Sequence, residues 1–299
     1  MVEEIEQLKK EKNAVILAHY YAPDDVQCIA DHVGDSYFLS KKAADSTADI
    51  IVFCGVAFMG ESAKILSPGK KVLMPELQAD CPMAHMVTPD HIQKIRNAYE
   101  DLAVVCYINS TAEAKMYSDV CVTSANAVKI VQKIPEKNIY FIPDRNLGWY
   151  VAGQVPEKNV ILHDGYCPTH DHICADRVQK AKRAHPHALF LAHPECRPDV
   201  LREADYIGST SGIIHFAGIS ACQEFMIGTE KGVFYELRKN NPEKTFYVID
   251  ENQICLDMKL ITLDKVYDVL KNESNEIHIS EEIRRKALKP LERMLELGN

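Results

Sequence analysis

The sequence predicts an α/β protein in which one small α/β unit is used three times. Short apolar runs rich in β-branched residues alternate with amphipathic helical patterns, which is typical of parallel sheets with helical crossovers. Cys81, Cys167 and Cys255 each follow a strand-like run by a few residues and lie 86 and 88 residues apart. If three such units pack around a common axis, each offers one thiolate at the centre.

The strand-like runs fall into three groups along the chain. In order they are AVILAHY (14–20), DIIVFCG (49–55) and KKVLMPE (70–76), then LAVVCYIN (102–109), DVCVTSA (119–125), NIYFIPD (138–144) and NVILHDG (159–165), then ALFLAHPE (188–195), YIGSTSG (206–212), EFMIGTE (224–230) and TFYVID (245–250). Continuous apolar runs of this length suit strands buried on both faces. Because the first group is one strand short, we expect the late run EIHIS (276–280) to return and supply the fourth strand.

Helix boundaries have recognisable signals. Thr88 followed by Pro89 predicts an N-cap and a first helical residue. Ser110 and Glu113 have capping-box spacing, and Gly34 is placed to end a helix that runs through 24–33. Pro290 should kink or divide the C-terminal helix, which we expect to pack on the first unit. The predicted domains are 1–84 together with 262–299, then 85–172, then 173–261.

Composition limits the functional classes. The net charge of −9 among 299 residues argues against nucleic-acid or membrane-surface partners. The first residues, MVEEIEQLKKEKN, have no apolar signal-peptide core, and no apolar run approaches the roughly 20 residues that span a bilayer. We therefore expect a cytoplasmic protein, in which disulfides are a poor default for the 10 cysteines.

Unusual polar residues cluster where strands end and helices begin. They are His19-Tyr20-Tyr21, Tyr107-Ile108-Asn109, Thr123-Ser124, Asp144-Arg145-Asn146, His193-Pro194-Glu195 and Ser209-Thr210. Ligands of parallel α/β sheets bind outside the carboxyl ends of the strands. Ser124 and Thr210 could equally be helix caps, the Asp144 segment a turn, and Tyr107 a core tyrosine. The His193 and Glu195 pair is the one best suited to acid–base chemistry.

The three repeated cysteines suggest an iron–sulfur cluster with one incompletely coordinated iron, since no fourth cysteine shares their position. His170, three residues after Cys167, is a weak zinc signal because no second Cys/His pair has zinc spacing nearby. Phosphate-loop and dinucleotide-binding glycine motifs are absent, and so is the CxxxCxxC pattern of radical enzymes.

Longer motifs resemble a known family. They are ILAHYY (16–21), ADHVGDS (30–36), GVAFMGESAKIL (55–66), CPMAHM (81–86), YINSTAEAK (107–115), TSANAV (123–128), PDRNLG (143–148), GYCPTH (165–170), HPEC (193–196), GST (208–210) and IGTE (227–230). On these residues the chain resembles the quinolinate synthase family of bacterial NAD biosynthesis, essentially from end to end.

The resemblance implies a fold and a reaction. It implies three similar three-layer α/β/α domains with parallel sheets around a pseudo-threefold axis. It also implies condensation of iminoaspartate with dihydroxyacetone phosphate to quinolinate, with loss of phosphate and water. An oxygen-sensitive 4Fe–4S cluster would be held by Cys81, Cys167 and Cys255, with its open iron acting as a Lewis acid. L-aspartate oxidase, which would supply the unstable iminoaspartate, is the expected transient partner.

Individual residues inherit roles from the resemblance. The implied catalytic residues are Tyr21, Tyr107, His170, His193 and Glu195. The implied substrate-binding residues are His19, Ser36, Tyr107, Asn109, Ser124, His193, Glu195 and Thr210. Ser209 is a further candidate from the strand-end cluster. Two other hypotheses remain open at this point: an iron–sulfur hydro-lyase of the aconitase kind, which would take one hydroxy acid, and a non-enzymatic iron–sulfur redox sensor.

Overall fold

Three four-stranded sheets, parallel throughout, form the framework of the computed structural model, which describes residues 1–298. The strands are β1 (Ala14–His19), β2 (His32–Gly34), β3 (Ile50–Cys54), β4 (Lys71–Leu73), β5 (Leu102–Tyr107), β6 (Val120–Val122), β7 (Asn138–Ile142), β8 (Asn159–Leu162), β9 (Leu189–Ala192), β10 (Tyr206–Ile207), β11 (Glu224–Gly228) and β12 (Thr245–Val248). The α/β class with three similar units is therefore confirmed.

Helices connect the strands and cover the sheets. They are α1 (Val2–Glu11), α2 (Asp24–Ile29), α3 (Ser36–Asp45), α4 (Ala57–Leu66), α5 (Pro89–Arg96), α6 (Ala112–Met116), α7 (Ala127–Lys133), α8 (Arg145–Gln154), α9 (Pro168–Asp171), α10 (Ala175–Ala184), α11 (Pro198–Leu201), α12 (Thr210–Ile219), α13 (Phe234–Asn240), α14 (Leu256–Lys259), α15 (Leu263–Asn272) and α16 (Glu281–Gly298). Two short 3-10 helices cover Pro82–His85 and Lys231–Val233. None of the helices in the described part of the chain is both long and apolar enough to cross a membrane.

The strand order is the same in all three sheets. It is β2-β1-β3-β4 in the first, β6-β5-β7-β8 in the second and β10-β9-β11-β12 in the third. The central strands β3, β5 and β11 are almost wholly buried, as expected for strands covered on both faces. The limits of the three domains and their arrangement around a pseudo-threefold axis stay predictions.

The source of the fourth strand in the first sheet was predicted wrongly. The segment that was expected to end a helix at Gly34 forms β2, which pairs with β1 from Leu17 opposite His32. The late run EIHIS makes only an isolated antiparallel bridge between Glu276 and Leu73. Pairing along an edge of β1 satisfies the backbone of a short segment whose local pattern looked helical.

An aspartate ties the first two strands of every unit together. The carboxylates of Asp31, Asp119 and Asp205 accept hydrogen bonds from the main-chain N–H groups of Ile16, Val104 and Phe190 at 2.8, 2.7 and 2.7 Å. The aspartate N–H returns a bond to the carbonyl of the same partner in each unit. The three aspartates lie 88 and 86 residues apart, so the repeat extends to individual contacts.

A lysine before the last strand of every unit closes a helix end. Lys70, Lys158 and Lys244 donate to the carbonyls of Ser46, Ile134 and Ser220, which are the residues that follow α3, α7 and α12. Cations stabilise helix C-termini because they satisfy the free carbonyls and the helix dipole. These lysines are also 88 and 86 residues apart.

The C-terminal helix joins two units. α16 contacts α4 of the first unit, as expected, and also α6, α7 and β6 of the second. It continues through Pro290 as one helix, so the helix is not divided there, while the alternative of a kink stays a prediction. Thr88 caps α5 as predicted, whereas Thr111 caps α6 in place of Ser110. The Ser110 hydroxyl instead donates to the Tyr107 carbonyl at 2.9 Å.

Candidate active site

One cavity lies at the carboxyl ends of the strands and is lined by all three units. The predicted site residues that line it are His19, Tyr21, Ser36, Cys81, Tyr107, Asn109, Ser124, Cys167, His170, His193, Glu195, Thr210 and Cys255. Ser209 is not among the lining residues. Its hydroxyl accepts the N–H of Gly212 at 3.1 Å and caps α12. The topology therefore brings together side chains that lie far apart in sequence.

The polar lining comes from equivalent positions in the three units. His19 and Tyr107 end β1 and β5, and His193 directly follows β9. These residues are separated by 88 and 86 residues, as are Tyr21, Asn109 and Glu195, and as are Ser36, Ser124 and Thr210. The first two sets therefore carry different chemistry in different units, whereas the third set carries a hydroxyl in all three.

A chain of hydrogen-bonding groups crosses the cavity wall. The Tyr21 hydroxyl lies 2.8 Å from the Thr229 hydroxyl, which lies 2.9 Å from Nε2 of His170. Nδ1 of His170 lies 2.7 Å from Oε2 of Glu195. Tyr21 also contacts the Thr210 hydroxyl at 2.9 Å. A proton can therefore pass between a phenol and a carboxylate without entering bulk water.

Burial sets the protonation states of the ionisable side chains that line the cavity. Burial alone would raise the pKa of Glu195, but the imidazoles of His170 and His193 outweigh it and lower the pKa to about 2. Burial lowers the pKa of His19 and of His193 to about 3. Burial, assisted by the charge of Glu195, raises the pKa of Tyr21 well above 10. Near neutral pH the cavity thus holds an ionised carboxylate, neutral imidazoles at His19 and His193, and a protonated phenol.

Several buried polar atoms point to a polar ligand. Oε1 of Glu195, Oδ1 of Asn109 and Oγ1 of Thr123 are buried without a hydrogen-bond partner among the described residues. Buried polar atoms are nearly always paired in native proteins, so each of these expects a partner from a ligand or water. His193 is anchored by its Nε2 at 3.1 Å from the Ser124 hydroxyl.

The three predicted cysteine ligands share one local structure. Cys81, Cys167 and Cys255 are each the extended residue immediately before a short helix, with ψ angles of 112°, 114° and 105°. All three line the cavity, and they also line a second, outward-facing hollow. The thiols thus converge between the interior cavity and the protein surface.

The thiol set fits an iron–sulfur cluster. Burial raises the pKa of Cys81 and Cys167 and brings the pKa of Cys255 to about 11. Three thiolates at this place therefore require positive charge among them, which iron supplies. Soft thiolate donors are the usual protein ligands of such clusters, and three of them leave one iron without a protein ligand.

A second donor set overlaps the first. One ligand atom each from Cys167, His170 and Glu195 lie within 4.8 Å of one another and could hold a single metal ion. Sequence spacing could not predict this group, because Glu195 lies in the third unit while Cys167 and His170 lie in the second. Both sets use the sulfur of Cys167, so they cannot be occupied at the same time. The metal content of the protein therefore distinguishes a cluster on the three cysteines from a single ion on Cys167, His170 and Glu195.

Sequence reasoning missed two buried polar residues that organise the site, Thr229 and Glu230, and left Asp144 open between a turn and a ligand role. Thr229 completes the chain between Tyr21 and His170. Asp144 and Glu230 accept main-chain N–H bonds from Cys167 and Cys255. The repeat offers a signal for this pair, since Asp144 and Glu230 lie 86 residues apart at the same position beyond β7 and β11.

Comparison with known proteins identifies the family. The family model for the quinolinate synthetase A protein matches residues 3–296. A quinolinate synthase of Caldicellulosiruptor saccharolyticus is 54% identical over 295 residues, covering 99% of this chain and 97% of that protein. This chain belongs to the quinolinate synthase family.

Other quinolinate synthases agree over the same length. That of Fusobacterium nucleatum is 51% identical over 298 residues, covering 100% of this chain and 99% of that protein. That of Clostridioides difficile is 50% identical over 295 residues, covering 99% and 97%. As a quinolinate synthase the chain is an enzyme of the transferase class, and the resemblance found in the sequence is confirmed.

Proposed function

We propose that this quinolinate synthase condenses iminoaspartate with dihydroxyacetone phosphate, with loss of phosphate and water, at the cavity shared by the three units. The convergence of the repeated thiols with Glu195 and its hydrogen-bonded chain is the observation that supports this most directly. The reaction needs proton transfers, a carbon–carbon bond and an imine, and it needs no net electron transfer.

Glu195 is proposed as the general base. Its carboxylate is ionised near neutral pH, and Oε1 has no partner of good hydrogen-bond geometry among the described residues, although the Tyr107 hydroxyl is close enough to lower the pKa of Glu195. His170 and His193 hold the other oxygen from 2.7 and 3.5 Å. A fixed carboxylate with one open oxygen can remove a proton from a carbon beside a carbonyl or an imine.

Tyr21 is proposed as the general acid that acts together with Glu195. Its phenol stays protonated, because burial raises its pKa, and it contacts the hydroxyls of Thr210 and Thr229. Through Thr229 and His170 a proton taken up at Glu195 can be returned to the phenol oxygen. Tyr107, whose pKa is also raised by burial and by Glu195, is the second protonated donor at this place.

Anionic groups of the substrates are proposed to bind at the repeated hydroxyl positions. Ser36 and Thr210 are the first residues of α3 and α12, where main-chain N–H groups are free to donate. Ser124, Asn109 and His19 add hydrogen-bonding groups around them. Holding two substrates side by side contributes much of the rate by orientation alone.

Cys81, Cys167 and Cys255 are proposed to hold a 4Fe–4S cluster. When bound, its open iron supplies Lewis acidity that makes hydroxide a better leaving group.

The deciding experiment is anaerobic purification with iron and sulfide counts, followed by an assay of quinolinate formation from the two substrates. Near four irons and four sulfides per chain, as in any 4Fe–4S cluster, together with product formation, are expected. One metal ion without sulfide would favour the Cys167, His170 and Glu195 set and overturn the cluster. Dehydration of a single hydroxy acid in place of condensation would overturn the proposed reaction.

We further propose a cytoplasmic location and a transient encounter with L-aspartate oxidase.

A further inference from the structure

The loop that carries Cys255 is fastened by a fully buried carboxylate. Oε1 of Glu230 accepts the N–H of Cys255 at 3.1 Å, and Oε2 accepts the N–H of Gly232 at 2.6 Å. Glu230 follows β11 and has no exposed surface. One oxygen therefore joins the end of a central strand to the cysteine loop, and the other caps the short 3-10 helix that follows this strand.

The same carboxylate reaches the first unit through a lysine. Nζ of Lys259, on α14 just after Cys255, lies 3.0 Å from Oε1 of Glu230 and donates to the carbonyl of Tyr21 at 2.6 Å. The Gly232 backbone is so close that an added Cβ would lie 2.7 Å from the carbonyl oxygen of Tyr20. Movement of Glu230 would therefore disturb the Cys255 and Tyr21 loops together.

The second unit repeats this arrangement with a shorter side chain. Oδ2 of Asp144 accepts the N–H of Cys167 at 3.1 Å, and Oδ1 accepts the N–H of Leu147 at 2.8 Å. Asp144 follows β7 and is also fully buried. In both units one buried carboxylate caps the turn after the third strand and holds a cysteine main chain.

The first unit lacks this device. The equivalent position, 88 residues before Asp144, is Val56, which has no side-chain acceptor. The N–H of Cys81 bonds instead to the carboxylate of its neighbour Asp80, whose side chain is 42% exposed. Water competes for an exposed acceptor, so this bond restrains the loop less than a buried one.

We propose that Asp144 and Glu230 are positioning residues, each of which fixes the main chain of one cysteine ligand, while Cys81 is the weakly held third. The inference rests on the proposed role of the cysteines for its connection with the cluster. The hydrogen-bond arrangement itself is a property of the chain and can be tested without any cluster.

The test compares Glu230→Gln and Asp144→Asn with wild type by hydrogen–deuterium exchange and by iron release. An amide has one acceptor oxygen where the carboxylate has two, so each variant leaves one main-chain N–H facing an NH₂ group. In Glu230→Gln we expect the exchange rate of the main-chain N–H of Gly232 or Cys255 to rise about 10- to 100-fold. In Asp144→Asn we expect the same rise for the N–H of Leu147 or Cys167. Iron transfer from the reconstituted enzyme to a chelator should accelerate in both variants.

Matched controls separate positioning from general loss of stability. Asp205→Ala removes a carboxylate that holds a strand N–H in the third unit, and it should leave exchange at Cys255 and iron release unchanged. Asp80→Asn should change the Cys81 region little, because that acceptor is already partly exposed. Wild-type exchange at Cys167 and Cys255 in both amide variants would overturn the proposal. If wild type assembles no cluster, the proposed function fails, while the exchange measurement still decides this inference.

Discussion

The sheet framework and the cavity are built on the same repeat, but equivalent positions carry the same residue in the framework and mostly different residues in the cavity. At the framework positions the three units carry the same residues, aspartate at 31, 119 and 205 and lysine at 70, 158 and 244. At the cavity positions 19, 107 and 193 they carry His, Tyr and His, and at 21, 109 and 195 they carry Tyr, Asn and Glu.

This difference has a physical reason. Parallel strands of identical order need the same backbone bonds in every unit, so the same side chains serve three times. Two dissimilar substrates need a base, an acid and anion-binding groups at different points, so equivalent positions must differ. The thiols and the hydroxyls at 36, 124 and 210 are exceptions in the cavity. Three like thiols suit one shared inorganic group. Changes in the cavity should therefore affect turnover, and changes in the framework should affect stability.

Cys81→Ser should have the largest effect. A serine hydroxyl is a poor substitute for a thiolate toward iron, so the folded protein should fail to assemble a normal cluster and should form no quinolinate. Iron content, visible absorbance and product formation after anaerobic reconstitution measure this. Cys28→Ser, which changes an exposed cysteine, is the control and should behave as wild type. Full iron content and turnover in Cys81→Ser would sink the three-cysteine assignment.

Glu195→Gln should come next. An amide cannot accept a proton from carbon at neutral pH, so we expect turnover to fall about 100- to 10,000-fold while cluster absorbance persists. Steady-state assays with both substrates measure the loss. Glu282→Gln, which changes a 72% exposed side chain on α16, is the matched control. Wild-type turnover would remove Glu195 from the acid–base role, and loss of the cluster would show that the change is not confined to chemistry.

The cavity histidines should make the protein sensitive to acid. The folded pKa of His19 and of His193 is about 3, against an ordinary value of 6.5, so only the unfolded chain gains these protons between those pH values. Stability is therefore lost as pH falls from 6.5 toward 3, by about 1.4 kcal/mol per pH unit for each histidine. Glu195 adds a loss below its ordinary 4.5, toward 2.

Denaturant midpoints at pH 7, 6 and 5 measure this slope. His193→Asn and His19→Asn should each reduce it by one histidine's share. A slope that is equal in all three proteins would mean that His193 is protonated in the folded state, contrary to its burial.

Much of this framework was predictable from sequence, because buried parallel strands are apolar runs that composition reveals. The strand β2 was not predictable in this way. It is three residues long and lies in a segment whose local pattern is helical, so only pairing with β1 decides its structure. Thr111 and Ser110 exchanged roles for a similar reason, since either hydroxyl suits a cap and tertiary contacts choose between them.

The cavity was predictable in its residue types and not in its connections. Strand-end positions and the family resemblance identified the lining residues. Contacts such as Thr229 between Tyr21 and His170 join three distant segments, and no local pattern encodes them. The 86-residue offset between Asp144 and Glu230 marks them as equivalent positions even though their residue types differ.

Asp205→Ala should show the smallest effect and completes the comparison. It removes the acceptor of the Phe190 N–H, a bond that the first and second units repeat with Asp31 and Asp119. Asp205 is exposed, so water can replace part of the bond, and we expect a loss of about 1 kcal/mol of unfolding free energy. The melting temperature should fall by a few degrees, with cluster content and turnover unchanged. Unlike Asp31 and Asp119, which also pair with Lys9 and Arg96, Asp205 forms no ion pair with the described residues. Asp119→Ala should therefore lower the unfolding free energy somewhat more than Asp205→Ala does. An equal loss in the two variants would mean that the bond to the main-chain N–H, and not the ion pair, accounts for the stabilisation.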